Sequence, residues 1–238
     1  MTRTALFEAI RPFAPERRFA PAHVTSIDAL ADAFGLPRAG DGRGVTPLNR
    51  EAFFVTMRDR FGRLGPTQVV GTTAILDAIA GAPLSWQAYM LATAWHETGA
   101  TMQPVREAHW LSEAWRKKNL RYWPHYGRGY VQITWLDNYK WLDAASAAAG
   151  LTKPGDILAD LDLAMRPDIA ALALRVGMEE GRYDAHGKRM AERLPASGPA
   201  TPAQYINARY LVNIQDKAEL VEGYAQSFER ALRDGGVA

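Results

Sequence analysis

The chain has 238 residues, of which 47% are hydrophobic and 23% charged, the balance of an ordinary globular protein with a sizeable core. It contains no cysteine, which excludes disulfide bonds and thiolate metal sites. No apolar run approaches the ~18 residues that a transmembrane helix needs. Glu8 and Arg11 interrupt the stretch where a signal peptide would have an unbroken apolar core. We therefore expect a protein that is made in the cytoplasm.

The net charge of +2 is unevenly distributed along the chain. Residues 1–140 carry 17 Lys and Arg against 12 Asp and Glu, whereas residues 141–238 carry 11 against 14. Within residues 101–140 the count is 7 against 3. A basic surface in that segment favours an anionic polymer as the binding partner, and ordinary scatter of surface charge is the alternative.

Ala-rich segments with helical spacing dominate the chain and alternating strand patterns are scarce. This predicts a mainly α fold with at most a small β element. Residues 19–34 align without a gap on residues 64–79, which indicates a partial duplication or a chance likeness between Ala-rich helices. Because the Gly- and Pro-rich segment 37–47 predicts a linker, we predict a helical appendage at residues 1–45 and a main domain at residues 46–238.

A helix that ends in charged residues is predicted to follow Pro83, with Ser85 as its N-cap. Four residues at helical spacing predict its buried face: Trp86, Tyr89, Met90 and Thr93. The same face continues to His96 and Glu97, just before Thr98 and Gly99 end the helix. The apolar face therefore terminates in a carboxylate.

The second half of the chain predicts several shorter helices. Residues 156–181 are interpreted as one or two helices with a break before Pro167, where Asp168 can cap the second. Prolines and small residues predict a loop over residues 186–202, and a helix follows over residues 203–212. The last helix is predicted to have Asp216 as its N-cap and an inner face of Leu220, Val221, Tyr224 and Phe228.

Glu97 is the first candidate for chemistry, because a glutamate on an apolar helical face is rare unless it is paired or functional. An apolar setting favours the protonated form of a carboxyl group, as a general acid requires. The structural alternative is a salt bridge to an arginine such as Arg106 or Arg128.

Glu107 and Glu113 are both candidates for a second carboxylate, and periodicity does not separate them. Basic residues nearby favour the ionised form that a water-activating base requires: Arg106, Arg116, Lys117, Lys118 and Arg121. One carboxyl group that donates a proton and a second that activates water are what hydrolysis of a glycosidic bond requires.

The segment Tyr126–Thr134 carries polar side chains on a glycine-rich turn. Gly127 and Gly129 permit backbone conformations that other residues avoid. Gln132 and Thr134 alternate with two apolar residues, which predicts that both polar side chains face one side.

A catalytic metal is not expected. His96-Glu97 lacks the second histidine of a zinc-protease helix, because position 100 is Ala100, and the other four histidines show no ligand spacing. Four of the seven tryptophans are candidates for stacking on sugar rings, although a core or rim position is the default for each: Trp95, Trp110, Trp123 and Trp135.

Taken together, these motifs resemble glycoside hydrolase family 19, and in particular its bacteriophage endolysin branch. The resemblance to the family lies in His96-Glu97-Thr98, Glu107, the segment 127–134 and Asn138-Tyr139. Further segments resemble the endolysin branch: residues 158–170, 177–181, 207–213 and 216–218. The likeness covers roughly residues 50–233, so the appendage lies outside it.

The resemblance implies a lysozyme-like, two-lobed helical fold with a central cleft and an inverting mechanism without metal or organic cofactor. It implies that Glu97 is the general acid, that Glu107 is the general base and that Thr134 helps to hold the attacking water. It also implies substrate contacts by the following side chains: His96, Tyr126, Arg128, Gln132, Asn138 and Asn213.

The sequence therefore predicts an endolysin-type glycosidase that cleaves β-1,4 bonds of bacterial peptidoglycan and lyses the host cell. A chitinase is the enzymatic alternative, and an inactive cell-wall-binding or virion protein is the alternative from another class. We expect a monomer that acts on glycan strands in the periplasm after release from the cytoplasm. Neither a nucleic-acid partner nor stable membrane insertion is expected, and residues 1–45 are expected to aid wall binding or stability.

Overall fold

A buried helix surrounded by other helices organises the part of the chain that the structure describes. The computed structural model describes residues 48–238, which hold nine α-helices, three short 3₁₀ segments and one two-stranded sheet. The predicted mainly α fold with a small β element is thereby confirmed.

The elements are, in chain order, α1 (Arg50–Phe61), α2 (Pro66–Ile79), α3 (Leu84–Glu97), β1 (Val105–Arg106), α4 (Glu113–Asn119), β2 (Arg128–Gly129), α5 (Leu136–Ala148), α6 (Asp156–Ala159), α7 (Pro167–Glu179), α8 (Pro202–Ala208) and α9 (Ala218–Asp234). The 3₁₀ segments are Leu161–Met165, Met190–Glu192 and Arg209–Leu211.

Only the second copy of the sequence repeat lies within the described residues. Residues 64–79 of this copy contain α2, and the helix-like stretch before it belongs to α1. The first copy, the predicted linker 37–47 and the predicted appendage at residues 1–45 lie outside the described residues. Residues 48–238 belong to one compact unit.

Helix α3 is the central element of this unit. Eleven of its 14 residues are buried, and α1, α2, α7 and α9 surround the core to which it belongs. The predicted face is buried at Tyr89, Met90 and Thr93, whereas Trp86 is half-buried. Small residues such as Ala88 and Ala92 let neighbouring elements cover the other sides, so the helix is buried almost all round rather than along one face.

The start of α3 differs from the prediction. Pro83 is the N-cap residue and the helix begins at Leu84, so the prediction of Ser85 as N-cap is wrong. The Ser85 hydroxyl donates instead to the carbonyl of Pro195, 110 positions away, at 2.8 Å. A buried hydroxyl needs such a partner, and in this case a tertiary contact provides it.

Two contacts fix the chain just after α3: the hydroxyl of Thr98, and the close approach of a glycine on the neighbouring helix α2. Thr98 donates through its hydroxyl to Ala94 O at 2.7 Å and accepts from Met102 N at 3.0 Å. A Cβ on Gly71 of α2 would lie only 1.8 Å from Met102 O, so only glycine allows α2 to approach this loop. These contacts anchor the chain just after Glu97.

An aromatic cluster joins α1, α3 and α9. The rings of Phe61 and Trp95 lie 4.5 Å apart, and Phe228 lies 5.0 Å from Phe61 and 6.0 Å from Trp95. Trp95 is buried in this core, so the suggestion that it stacks on sugar is wrong. Burial of these large rings is a major source of stability for the helical unit.

The predicted break before Pro167 is confirmed, because a 3₁₀ segment ends at Met165 and α7 begins at Pro167. Arg166 is the N-cap, so Asp168 lies in the first turn of α7 and is not the cap. Asp168 forms a salt bridge with Arg166 at 2.6 Å. Its negative charge in the first turn also stabilises the positive end of the helix dipole. The predicted loop over 186–202 contains the short 3₁₀ segment Met190–Glu192.

The predicted helix over 203–212 is divided into α8 and the 3₁₀ segment Arg209–Leu211. Lys217, at φ 55°, is the N-cap residue of α9, so the prediction of Asp216 as its cap is wrong. The inner face of α9 includes Val221, Phe228 and two alanines, whereas Tyr224 is half-buried and Leu220 is 46% exposed. Leu220 therefore does not belong to the predicted inner face.

The small sheet is an antiparallel pair in which Val105 faces Gly129 and Arg106 faces Arg128. It packs against the 3₁₀ segment Leu161–Met165 and the first turns of α7, where a Cβ on Gly129 would lie 3.2 Å from Ala164 O and 3.4 Å from Ala170 Cβ. Gly129 has φ 85°, a conformation that glycine adopts without strain. The pair brings the chain just after α3 beside the glycine-rich turn.

No helix among residues 48–238 combines the length and the apolar character that a bilayer-spanning segment needs.

Truncation of Phe228 tests the importance of the aromatic cluster. We expect Phe228→Ala to lower the free energy of unfolding by about 3–5 kcal/mol, because it leaves a cavity between α1, α3 and α9. Leu220→Ala, on the same helix, should change it by no more than about 0.5 kcal/mol. Urea unfolding measures both values, and an equal loss for the two variants would contradict this description of α9.

Candidate active site

Glu97, the last residue of α3, lies against a buried guanidinium. Its carboxylate oxygen accepts a hydrogen bond from Arg209 Nη2 at 3.0 Å, and the Glu97 side chain keeps 16% of its surface exposed whereas Arg209 keeps none. The sequence suggested Arg106 or Arg128 as a structural partner, but both of these pair with Asp162 instead. The charged partner of Glu97 thus comes from 112 positions further along the chain.

Arg209 is held by several groups and was not singled out from the sequence. Its Nε donates to the carbonyl of Asp216 at 2.8 Å. Within residues 48–238, its Nη1 is buried without a hydrogen-bond partner, as is the hydroxyl of Tyr89. Burial raises the pKa of Tyr89 above its usual value, so this phenol stays neutral beside the ion pair. The Arg209 guanidinium and the Tyr89 phenol nevertheless interact, because Arg209 opposes the effect of burial on the pKa of Tyr89.

Two predicted substrate contacts lie near this ion pair. His96 is half-buried, and burial lowers the pKa of its imidazole against the opposing influence of Glu97. Asn213 is exposed and its backbone amide donates to Arg209 O at 2.9 Å. His96, Asn213, Glu97 and Arg209 therefore form one group, in which Asn213 is open to solvent.

Glu107, the residue after β1, is fixed at both its backbone and its carboxylate. Its amide donates to Gly127 O at 2.7 Å, which continues the ladder of the small sheet. Its carboxylate accepts from the Tyr122 hydroxyl at 2.6 Å and from Gly127 N at 2.9 Å. Burial, followed by the hydrogen bond to Glu107, raises the pKa of Tyr122 to about 12, so the phenol remains a donor at neutral pH.

Glu113, the competing carboxylate, has a different setting at the start of α4. It accepts from Trp123 Nε1 and from the Tyr126 hydroxyl, each at 2.8 Å, and from Arg116 Nη1 at 3.3 Å. Partial burial opposes its ionisation, but these hydrogen bonds outweigh it and hold the pKa of Glu113 below its usual range. Glu113 thus links α4 to the strand-turn region, as a structural carboxylate does.

A close approach at Gly127 brings Glu107 together with Gln132. A Cβ on Gly127 would lie 2.7 Å from Gln132 Oε1 and 3.2 Å from Glu107 Oε2. The Gln132 amide nitrogen donates to Val105 O at 2.9 Å and to Gly129 O at 3.2 Å. The carboxylate of Glu107 and the amide of Gln132 therefore both lie next to the Cβ position of Gly127.

As predicted, Gln132 and Thr134 alternate with two buried residues, Val131 and Ile133, and both polar residues are half-buried. Gln132 has φ 54°, and the chain turns there. Ile133 bridges back to Arg128, and the Thr134 hydroxyl donates to Gln132 O at 2.9 Å. Thr134 is half-buried, and its oxygen retains lone pairs that can accept a hydrogen bond. Asn138 adjoins it, since its side-chain nitrogen donates to Thr134 O at 2.9 Å.

Tyr126 and Arg128 are committed to contacts within the protein. Arg128 Nη1 donates to Pro124 O at 3.0 Å and to the Tyr139 hydroxyl at 2.8 Å, and the guanidinium lies 3.8 Å from the centre of the Tyr126 ring. Both residues are buried. This arrangement favours a role in holding the turn over the predicted role in contacting substrate.

A cleft of about 830 Å³ opens on the Arg106 side of β1. It is lined by Pro104, Val105, Arg106, His109, Leu111, Glu113, Arg116, Tyr126, Arg128, Ala159, Asp160, Leu161, Asp162 and Met165. Neither Glu97 nor Glu107 lines this cleft. Asp162 and the two arginines that pair with it are among the lining residues. The hydrogen bond from Arg106, followed by the one from Arg128, holds the pKa of Asp162 below its usual range against the opposing effect of burial. Of the three glutamates considered from the sequence, Glu113 is the one that lines this cleft.

Backbone strain concentrates around the predicted site residues. Seven non-glycine residues in the described part of the chain have positive φ values: Ala100, Met102, Ala108, Gln132, Trp135, Gln215 and Lys217. Ala100 and Met102 follow Glu97, Ala108 follows Glu107, and Gln132 and Trp135 lie in the turn around Thr134. Gln215 and Lys217 flank Asp216, whose carbonyl accepts a hydrogen bond from Arg209. Such conformations are costly and cluster at functional sites.

Among residues 48–238, no group of three or more His, Asp or Glu side chains is arranged to bind a metal ion. Comparisons of the chain with protein-family models, with curated proteins and with solved structures found no match.

Replacement of Arg209 tests the ion pair with Glu97. We expect Arg209→Leu to lower the free energy of unfolding by about 3–5 kcal/mol, because the carboxylate of Glu97 then loses its buried counter-charge. The matched control is Arg230→Leu, which breaks an exposed pair with Asp234 and should cost no more than about 1 kcal/mol. Denaturant unfolding at neutral pH compares them, and equal costs would show that the buried pair has no special importance.

Gly127→Ala tests the close approach of Glu107 and Gln132. The added Cβ would displace the Gln132 amide and crowd the Glu107 carboxylate, so we expect Gly127→Ala to lower the free energy of unfolding by about 1–3 kcal/mol, as overpacking does. Gly223→Ala is the control, because nothing lies within 4 Å of its Cβ position on α9. Urea unfolding compares the two variants, and a Gly127→Ala protein as stable as the wild type would contradict this close approach.

Proposed function

We propose that the protein is an endolysin-type glycoside hydrolase that cleaves the β-1,4-linked amino-sugar strands of bacterial peptidoglycan with inversion. The observation that carries the proposal is the setting of two carboxylates. Glu97 ends the buried helix α3 against Arg209, and Glu107 is fixed beside Gln132 at the glycine-rich turn. The assignment of roles to the two carboxylates rests on the resemblance to glycoside hydrolase family 19.

In the proposed reaction, Glu97 acts from its protonated form and donates this proton to the glycosidic oxygen as the bond to the anomeric carbon breaks, which regenerates the carboxylate that pairs with Arg209. Glu107 takes a proton from a water that attacks this carbon from the opposite side, so the anomeric configuration inverts. After transfer, the negative charge on Glu97 is stabilised by the guanidinium of Arg209 at 3.0 Å. No cofactor is needed to balance these proton transfers.

The neighbouring groups suit the proposed water and sugar. Thr134 donates its hydroxyl proton to Gln132 O, which leaves its lone pairs to accept a hydrogen bond from the attacking water. Asn138 and Asn213 are the proposed sugar contacts on the two sides, beside Thr134 and Arg209 respectively. Tyr122 and Gly127 both donate to Glu107, which fixes the direction in which this carboxylate can accept a proton.

Substitution of the two carboxylates tests the roles. We expect Glu97→Gln and Glu107→Gln each to lower kcat on purified sacculi by at least about 10²-fold, a typical general acid or base contribution. Glu113→Gln is the control, because Glu113 is engaged with Trp123 and Tyr126, and it should retain most of the activity. Release of reducing ends gives the rates, and circular dichroism confirms that each variant is folded.

The choice of substrate and the stereochemistry are tested with the wild-type protein. Sacculi should be cleaved much faster than chitin oligosaccharides at matched pH and low salt, and NMR of the first product should show the α-anomer. Faster cleavage of chitin would make the protein a chitinase. Absence of cleavage on both substrates, or full activity of Glu97→Gln, would refute the proposed hydrolase mechanism.

A further inference from the structure

Trp135 is an exposed tryptophan in a strained backbone conformation. It has φ 71° and ψ 143°, and its side chain lies at the surface, with 48% of the residue exposed. A bulky residue at positive φ is a genuine outlier, and such strain persists where the surrounding structure enforces it. The Trp135 amide donates to His125 O at 2.9 Å, which ties this conformation to the preceding turn. The fold therefore holds a large apolar ring out toward solvent.

The indole lies one side chain away from Glu107. The ring centres of Trp135 and Tyr122 are 5.0 Å apart, and the Tyr122 hydroxyl donates to the Glu107 carboxylate. A ligand that packs on Trp135 would thus extend toward the proposed general base. This proximity distinguishes Trp135 from Trp110, which is more exposed and whose ring contact is with His109.

The cationic side chain of Arg121 lies over the Trp135 indole. The guanidinium carbon of Arg121 lies 5.2 Å from the centre of the Trp135 ring. Among residues 48–238, Arg121 has no acidic partner and donates no hydrogen bond to another side chain or carbonyl, and Lys117 and Lys118 likewise form no salt bridge. A guanidinium held over an aromatic ring keeps its planar fork of donors for a carboxylate. Arg116 does not contribute to this surface, because it is buried in contacts with Glu107 O, Ala108 O and Glu113.

We propose that Trp135 and Arg121 form a subsite, beside Glu107, for a sugar residue whose substituent carries a carboxylate. The indole packs on the sugar ring, and Arg121 binds the acidic substituent. Peptidoglycan has such substituents in its peptide stems, whereas chitin is neutral. The choice of a glycan rests on the proposed function, and the carboxylate preference rests on the uncompensated charge of Arg121 and its neighbours.

Binding to insoluble sacculi tests the subsite without depending on turnover. Wild-type protein and the variants Trp135→Ala, Trp135→Phe and Arg121→Gln are sedimented on ice with native sacculi and with sacculi whose carboxyl groups have been amidated. We expect Trp135→Ala to bind native sacculi at least about fivefold more weakly, the effect of losing an aromatic anchor, and Trp135→Phe to recover part of this loss. Arg121→Gln should bind about threefold more weakly, as for one partly exposed ion pair, and this loss should vanish on amidated sacculi.

Two control variants and two competing ligands define the results that would refute the proposed subsite. Trp110→Ala changes an exposed indole that contacts His109 and not Tyr122, Arg233→Gln changes an exposed arginine on α9, and both variants should bind like the wild type. The subsite is refuted if Trp110→Ala loses as much affinity as Trp135→Ala, or if the effect of Arg121→Gln persists on amidated sacculi. It is also refuted if the wild type binds DNA or anionic vesicles as tightly as native sacculi, which would indicate a nonspecific basic surface.

Release of reducing ends from native sacculi separates this subsite from the proposed function. Binding that depends on Trp135 and Arg121 without release of reducing ends would refute the hydrolase and leave the subsite established. Hydrolysis by variants that bind and act like the wild type would establish the hydrolase and refute the subsite.

Discussion

A carboxylate at the end of a buried helix has to be matched by a positive charge, and much of the structure follows from that requirement. Helix α3 is enclosed on nearly all sides, so Glu97 emerges from the core with little solvent around it. Arg209 meets it from a 3₁₀ segment, and the carbonyl of Asp216 holds the guanidinium in turn. The loop before α9 is therefore shaped by the need to place one guanidinium, and this accounts for the strained residues Gln215 and Lys217 that flank Asp216.

The second carboxylate is positioned by a different kind of interaction. Glu107 emerges from a strand of two residues, which alone would be too short to fix anything. The Glu107 amide donates to Gly127 O, which extends the sheet by one residue pair. The Gly127 amide donates in the opposite direction, to the Glu107 carboxylate. One carboxylate is thus held by a guanidinium 112 positions away, and the other by a tyrosine hydroxyl and a backbone amide that lie within 20 positions of it. Such a pair can have different surroundings, which is what a division into acid and base requires.

The sequence predicted features that depend on local patterning and missed those that depend on tertiary contact. The mainly helical fold, the break before Pro167 and the position of Glu97 at a helix end follow from spacing and from helix-stop signals. The caps proposed at Ser85 and Asp216 were wrong, because Ser85 bonds to Pro195 and Asp216 holds Arg209 through its carbonyl. Arg209 itself carried no local signal, since its partner lies 112 positions earlier. The alternation of Gln132 and Thr134 with the buried Val131 and Ile133 follows from the sequence pattern, whereas no side-chain pattern reveals the positive φ at Gln132.

The bond from the amide of Gly127 to Glu107 has a consequence for how this protein can diverge. Every residue except proline has a backbone N–H, so the hydrogen bond from Gly127 N to Glu107 requires no particular side chain. It requires that the chain pass close to Glu107 and that position 127 lack a Cβ. The intervening residues 108–125 must return the chain to that point and supply Tyr122, whose hydroxyl donates to the same carboxylate. Changes at exposed positions of this segment, such as Arg121, would leave both hydrogen bonds to Glu107 in place.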